Sequence, residues 1–585
     1  MLDIVNDAKD IKKFNLEELN ELAHDVREAI INKVSKAGGH IGPNLGMVET
    51  TIALHYVFSS PIDKFVFDVS HQCYPHKILT GRKDAYLYDD KFHDVTGYTN
   101  PKESAHDIFK VGHTSTSISL SLGLAIGRDR QDEKYNVIAI IGDGSLSGGE
   151  ALEGLDTAGE YKNNFIIVLN DNEQSIAENH GGIYKNLKEL RESNGTCQNN
   201  IFTSFGLDYR YLDDGHDIEK LISLFESVKD IVHPIVLHIH TIKGKGLKYA
   251  EENRESWHSG GPFNVLDGAR LYPSNNENVV FNCLKDLLDN DEKAVVVNAA
   301  TPMGLGFVKG VREEYVKRGQ FLDVGIAEEN AVAICSGLAK SGATAVFGTF
   351  APFYQRTYDQ ISHDLCLNDN PATMLVLSPG VYGMNSDTHI ALCDIQLFAH
   401  IPNFIYLAPS TKEEYIKMFN YATHQKKHPI GIRVPSKFND STDADNTDYN
   451  IYNKNKVVKK GSKVAIIAVG QLMQIAKDVA SKVSAELGLD ITVINPLFLS
   501  GLDTNLLDSL EKDHTLVITL EDGELMGGYG QNIASYYGMK KMLVKNYGIS
   551  KKFHTDFEAS KLLEENGISV DNLFNEIKKH IDMVK

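Results

Sequence analysis

The residues best suited to chemistry lie between Val137 and Ile176, in the stretch VIAIIGDGSLSGGEALEGLDTAGEYKNNFIIVLNDNEQSI. Asp143 offers a carboxylate and Asn172 an amide oxygen, hard donors of the kind magnesium takes beside phosphate oxygens. Gly142 and Gly144 flank Asp143 with residues that let backbone approach a ligand closely. Two short apolar runs, Val137–Ile141 and Phe165–Leu169, read as buried parallel strands. Between them Leu152, Leu155 and Ala158 fall on one side of a helix, with Ser145 and Ser147 as candidate caps. Strand, helix, strand is a βαβ unit, which puts Asp143 and Asn172 at the carboxyl ends of parallel strands. Open α/β sheets bind ligands at that edge. The unit therefore reads as a holder of a magnesium diphosphate.

Other reactive side chains sit at loop starts in the same part of the chain. His40 follows Gly38-Gly39, where an amphipathic helix opened by Asn15 and Glu18 ends. His71 follows the strand Phe65–Val69, and His113 sits in Gly112-His113-Thr114 before an Ala- and Leu-rich helix. These three histidines lack zinc-ligand spacing and are expected to share a cleft. Lys243-Gly244-Lys245-Gly246 follows a strand at Ile235–Ile239 and can serve either as a phosphate contact or as a solvated turn; Lys243 joins the candidates.

The elements that must position these residues are α/β throughout. Further strands are expected at Tyr209–Leu212, Ala294–Val297, Ala345–Gly348, Met374–Leu377, Ile430–Val434, Val464–Val469, Ile491–Ile494 and Leu516–Leu520, alternating with helices. Polar stretches at Glu251–Asn278 and Ser436–Ser462 read as linkers, and Glu521–Gly530 as a glycine-rich loop. The expected organisation is three domains, each a mostly parallel sheet flanked by helices, over residues 1–265, 290–436 and 460–585. Composition agrees with a globular protein of 585 residues, 42% apolar and 24% charged. A net charge of −20 argues against a nucleic-acid partner. No run approaches the roughly 18 apolar residues of a membrane helix, and six scattered cysteines suit reduced thiols in the cytoplasm.

Motifs along the whole chain resemble the 1-deoxy-D-xylulose-5-phosphate synthase family of the transketolase superfamily. They are AGGH at Ala37–His40, DVSHQCYPHKILTGR at Asp68–Arg82, GHTSTS at Gly112–Ser117 and the GDG…NDNEQSI unit. DVGIAEEN at Asp323–Asn330, QRTYDQ at Gln355–Gln360 and LEDGELMGGYG at Leu520–Gly530 complete the set. The resemblance implies thiamine diphosphate and Mg2+ as cofactors, the metal on Asp143, Asn172 and the Gln174 carbonyl. It implies cofactor contacts from His71, Gly112, His113, Thr114, Gly144, Ser145, Asn172 and Lys243, with Phe353 against the pyrimidine ring. Glu328 becomes the carboxylate on the ring nitrogen, while His40 and His389 move protons. Arg356 and Arg433 become the cations for the acceptor's phosphate.

The implied reaction joins pyruvate to D-glyceraldehyde 3-phosphate with loss of CO2, in a homodimeric cytoplasmic enzyme. Four positions depart from the family pattern. Ser378 stands in place of an arginine, Asn385 of an aspartate, Phe350 of a tyrosine and Leu247 of an aromatic. The segment after NDNEQSI is also shorter than the family's long loop. These departures raise a second reading, the same cofactor chemistry with another acceptor. A third, a non-catalytic paralogue, sits poorly with the retained Asp143, Asn172, Glu328 and histidines.

Overall fold

The structure is a computed structural model that describes residues 1–272, 278–441 and 444–583. It contains three sheets. The first comprises β1 (Lys64–Phe67), β2 (Val137–Gly142), β3 (Phe165–Asp171), β4 (Asp208–Leu212) and β5 (Pro234–His240), ordered β1-β2-β3-β5-β4 and parallel throughout. Its inner strands β2 and β3 are buried on both faces, which is why they read as continuous apolar runs rather than alternating ones, whereas the edge strand β4 is half exposed. Phe65, Phe67, Ile138, Ile140, Ile166 and Val168 pack into one core. Val137, Ala139, Ile141, Phe165, Ile167 and Leu169 pack into another.

The second sheet holds β6 (Ala294–Asn298), β7 (Phe321–Asp323), β8 (Thr344–Phe350), β9 (Thr373–Leu377), β10 (Ile405–Leu407) and β11 (Ile430–Val434). Its order is β10-β11-β9-β8-β6-β7, again all parallel. The third holds β12 (Lys456–Lys459), β13 (Lys463–Ala468), β14 (Thr492–Asn495), β15 (His514–Glu524) and β16 (Leu543–Ile549). Its order is β12-β14-β13-β15-β16, with β12 alone antiparallel.

The described residues fall into two compact units, one within Met1–Asn276 plus Gly325–Ala327, the other within Glu277–Val324 plus Glu328–Lys585. The second and third sheets belong to one unit because they share a core: Val297, Phe347, Met374 and Val376 cluster with Ala465, Ile467, Ile494 and Val517.

Several local expectations hold. Asn15 and Glu18 form a reciprocal capping box, Glu18 N to Asn15 Oδ1 at 3.0 Å and Asn15 N to Glu18 Oε2 at 2.8 Å, opening the helix Leu16–Ala37. Others are corrected. Glu251–Asn278 is no simple linker: Trp257 and Phe263 are buried in the first core, and Gly42 N donates to Trp257 O at 2.9 Å. Residues 273–277 of that stretch lie outside the described set. Within Ser436–Ser462, of which 442–443 lie outside the described set, Tyr449 is buried and β12 forms a sheet edge. Polar composition hid both segments, since each anchors itself through one or two aromatic side chains. Glu521–Glu524 extends β15 rather than opening a loop. Among the described residues, no helix is long and apolar enough to cross a membrane.

Candidate active site

In the first unit, β2 and β3 deliver Asp143 and Asn172 side by side at their carboxyl ends. Asp143 begins a 3-10 turn, Asp143–Ser147. Neither Ser145 nor Ser147 caps the following helix Gly149–Glu160, which starts at Gly148 without a side-chain cap. Ser147 instead donates to Gly144 O at 2.9 Å and accepts from Ile326 N at 2.8 Å. A Cβ on Gly144 would come within 2.7 Å of the Ser175 Cβ, so only glycine lets the two turns meet.

Asp143 is 1% exposed. Burial, then the nearby Asp171 charge, pushes its carboxyl well above the usual range. Burial also opposes charge on Asp171, yet His238 Nε2 at 2.8 Å and the Arg191 guanidinium hold that carboxyl down to about 2. A buried carboxyl beside a fixed negative charge is a place where a small cation would be stabilised. The Oε1 of Gln174 and Oδ1 of Asn179 are buried without hydrogen-bond partners. Among the described residues, no cluster of three or more His, Cys, Asp or Glu could hold a metal. The donors here are one carboxylate, amides and backbone carbonyls, which fits a small hard cation bound with phosphate oxygens and not a zinc site.

Two of the three histidines expected to share a cleft meet, and a fourth joins them. The rings of His40 and His71 lie 5.2 Å apart, and His258 stands 5.6 Å from the first and 5.2 Å from the second. The fully buried Asn44 ties two of the loops, its Nδ2 donating to His40 O at 2.6 Å and His71 O at 2.7 Å. Gly39 and Gly260 exchange backbone hydrogen bonds of 2.9 and 3.0 Å, bringing His258 to the group. Burial, with the Lys243 charge behind it, pushes His40 down to about 4. Burial pushes His258 well below the usual histidine range too. Both imidazoles are neutral at pH 7. Lys243 is 1% exposed and donates to Ser175 O at 2.5 Å. Burial brings it down to about 7.

The strand end that carries His71 is strained: Val69 and Ser70 have φ of 56° and 65°, unusual for a β-branched residue. Asp68 holds this turn against the His113 loop, accepting from Ser115 N at 2.8 Å and Ser117 N at 3.0 Å. Ser70 Oγ donates to Val111 O, and Ser115 Oγ to Ser145 O, each at 2.8 Å. Gly112, His113 and Thr114 are thereby carried on a loop fastened to both the His71 turn and the Gly144-Ser145 turn.

In the second unit Glu328 opens the helix Glu328–Lys340 and is 3% exposed. Its Oε2 has no hydrogen-bond partner, and Arg356 Nη1 lies 3.9 Å from it. Burial raises it to about 7, against the lowering charge of Arg356. Such an orphaned carboxyl fits a ligand nitrogen with which it can share a proton. Phe353 and Arg356 ride on the turn Ala351–Thr357 after β8. The Phe353 ring lies 5.8 Å from His389 and 6.4 Å from Phe350.

Arg433 departs from the expectation of an open phosphate ligand. It is 3% exposed. Its Nε and Nη2 reach Asp394 at 2.7 and 3.2 Å, and Nη1 lies 2.9 Å from Asp522. Ser378, at the end of β9, has φ of 54°. Sequence reading missed His258, whose signal was His258-Ser259-Gly260-Gly261, a reversed echo of Gly38-Gly39-His40. It also missed Asn44, Asn179 and Asp394, which no local pattern marks, and the part played by Asp522, which lies within LEDGELMGGYG.

Three matches to family models now follow the three sheets in order. A 1-deoxy-D-xylulose-5-phosphate synthase model matches residues 2–198 and 194–241. Models of the transketolase pyrimidine-binding and C-terminal domains match 275–438 and 453–573. These define a transketolase-type enzyme. The protein is 37% identical to the 1-deoxy-D-xylulose-5-phosphate synthase of Clostridium acetobutylicum, over 95% of each chain. It is 34% identical to that of Caldanaerobacter subterraneus subsp. tengcongensis, over 99% of this chain and 98% of the relative. The chain belongs to the 1-deoxy-D-xylulose-5-phosphate synthase family.

Proposed function

We propose that the protein condenses pyruvate with D-glyceraldehyde 3-phosphate to 1-deoxy-D-xylulose 5-phosphate and CO2. Enzymes of this family use thiamine diphosphate with a divalent metal such as Mg2+. The observation that carries the reading is the Glu328 carboxyl, buried, with one oxygen unpartnered and raised to about 7. Bound thiamine diphosphate supplies a thiazolium carbon that can attack a ketone carbonyl, chemistry no protein side chain offers.

The chain's own residues then have separable roles. Asp143, Asn172 and the Gln174 carbonyl hold the cation. His71, Gly112, His113, Thr114, Gly144, Ser145 and Lys243 hold the cofactor, with Phe353 packed on its pyrimidine ring. Glu328 keeps a proton at its carboxyl near neutral pH and shares it with the ring nitrogen. His40 and His389 accept and return protons as the substrate's oxygens change charge, His40 from its neutral form. Arg356 receives the acceptor's phosphate. Arg433, held by Asp394 and Asp522, ties β11 to β15. The domains proposed for these tasks are residues 1–265, 290–436 and 460–585, in a cytoplasmic homodimer whose assembly light scattering would test.

One observation favours a second acceptor: Arg433 is already paired, and Ser378 brings no charge. The test is to supply pyruvate and follow CO2 release across phosphorylated and plain aldehydes. The proposal expects the highest kcat/KM with D-glyceraldehyde 3-phosphate, and Arg356→Ala to lower it selectively. A wild type that prefers plain aldehydes would replace this acceptor and leave the cofactor chemistry standing.

A further inference from the structure

Beyond β3 the chain folds back over the candidate cation ligands. Asn179 Nδ2 donates to Oδ2 of Asp143 at 2.6 Å. The same amide's Oδ1 is buried with no hydrogen-bond partner. This stretch is held in place by its neighbours. Gln174 pairs with Glu178 in an isolated bridge. Tyr184, on the helix Gly182–Glu192, donates to the carbonyls of Asp143 and Gly144 at 3.2 Å each. Arg191 at the end of that helix pairs with Asp171, and with Glu173 at 3.3 Å. A buried amide oxygen without a partner is costly in a folded protein. One kept beside a buried carboxylate points to a ligand that pairs with it.

We infer that Asn179 is a positioning residue of the cation site: its amide nitrogen occupies one Asp143 oxygen, leaving the other for the cation, and its amide oxygen adds a neutral donor. The inference rests on the magnesium diphosphate reading above and adds to it a basis for choosing the ion. A carboxylate free to turn can grip a cation with both oxygens, which suits the large, irregular shell of calcium. One oxygen held back suits magnesium, which demands near-octahedral geometry from single oxygens. Asn179 therefore sets how strictly the site prefers the smaller ion. Tyr184 acts differently, since its hydroxyl holds backbone carbonyls and leaves the carboxylate untouched.

The experiment compares Asn179→Ala with wild type by calorimetry, titrating thiamine diphosphate with Mg2+ and separately with Ca2+, and reading affinity rather than turnover. Melting of the cation-free protein controls for the fold. Where Asn179→Ala melts too low to titrate, Asn179→Ser carries the same comparison. Loss of a residue that orients a metal ligand costs about 10- to 100-fold in metal affinity. The inference expects that loss with Mg2+ and a several-fold smaller one with Ca2+, so that preference between the ions narrows. Equal losses with both ions would show a merely structural side chain and overturn it. Unchanged Mg2+ affinity would overturn it too. A wild type that binds neither ion with the cofactor would instead remove the magnesium diphosphate reading beneath.

Discussion

Glu328→Gln in the cofactor-free protein offers a measurement that depends chiefly on burial. The carboxyl rises from an ordinary value of 4.5 to about 7, chiefly through burial, with Arg356 pulling the other way. Below pH 4.5 both folded and unfolded chains hold the proton, and the group contributes nothing. Between pH 4.5 and 7 the unfolded chain releases it while the folded chain keeps it, so stability falls as pH rises. Above 7 the cost is complete and constant. At about 1.36 kcal/mol per pH unit, that window of 2.5 units (7 − 4.5) sets an upper bound of roughly 3.4 kcal/mol. Glutamine fills the same space without a charge to bury. The variant should therefore match wild type at pH 4.5–5 and gain stability towards pH 8, at the expense of catalysis. For a unit of this size, about 2 °C per kcal/mol makes the gain up to about 7 °C in the melting midpoint. Glu521 is also raised to about 7 by burial, but it is common to both proteins and cancels in the difference. Calorimetric melts of the two apo proteins at several pH values give the answer. Parallel pH profiles would refute the account of Glu328 as a carboxyl buried at a cost to the fold.

Asp143→Ala should abolish joint binding of Mg2+ and thiamine diphosphate while leaving the fold intact, because it removes the one charged ligand in the set; calorimetry with unchanged affinity would contradict this. Gly144→Ala should weaken cofactor binding and lower stability by about 1–3 kcal/mol, since the added Cβ meets the Ser175 Cβ at 2.7 Å; denaturant unfolding beside calorimetry checks both. His258→Ala should leave cofactor affinity near wild type and lower kcat by about 10²–10⁴-fold if it moves a proton; an unchanged kcat would confine it to packing. Arg433→Ala should destabilise the second unit by about 3–5 kcal/mol by stranding Asp394 and Asp522, as read by denaturant unfolding. A loss of acceptor affinity without loss of stability would instead place it against substrate.

The parts of this protein legible in its sequence are those where one strand end does one task. Asp143 and Asn172 follow apolar runs long enough to be read as buried parallel strands, and a parallel sheet leaves no choice about where its carboxyl ends lie. Glu328 was visible only through resemblance, because nothing local separates it from Glu329, which stands next to it on the same helix. Burial separates them, and burial is a property of the packed unit. His258 failed for the opposite reason. Its neighbourhood is polar enough to pass for a linker, yet two glycine backbones, at Gly39 and Gly260, pair and bring its ring beside His40 and His71.

Arg433 marks the furthest limit of such reading. The family resemblance made it a phosphate ligand. The partners that engage it come from Asp394, 39 residues earlier, and from Asp522 on a strand of another sheet. An arginine is available to a ligand only to the extent that carboxylates elsewhere leave it so. Two buried carboxyls already engage this guanidinium, Nε and Nη2 on Asp394 and Nη1 beside Asp522, so a phosphate brought there would have to displace them. Arg356 Nη1 lies 3.9 Å from the Glu328 carboxyl, which burial raises towards neutrality. Arg356 also keeps 18% of its side chain exposed against 3% for Arg433, which is why the acceptor's phosphate is proposed to meet Arg356. Burial and pairing in the packed unit, more than the presence of arginine in the sequence, decide how far a cation is open to a ligand.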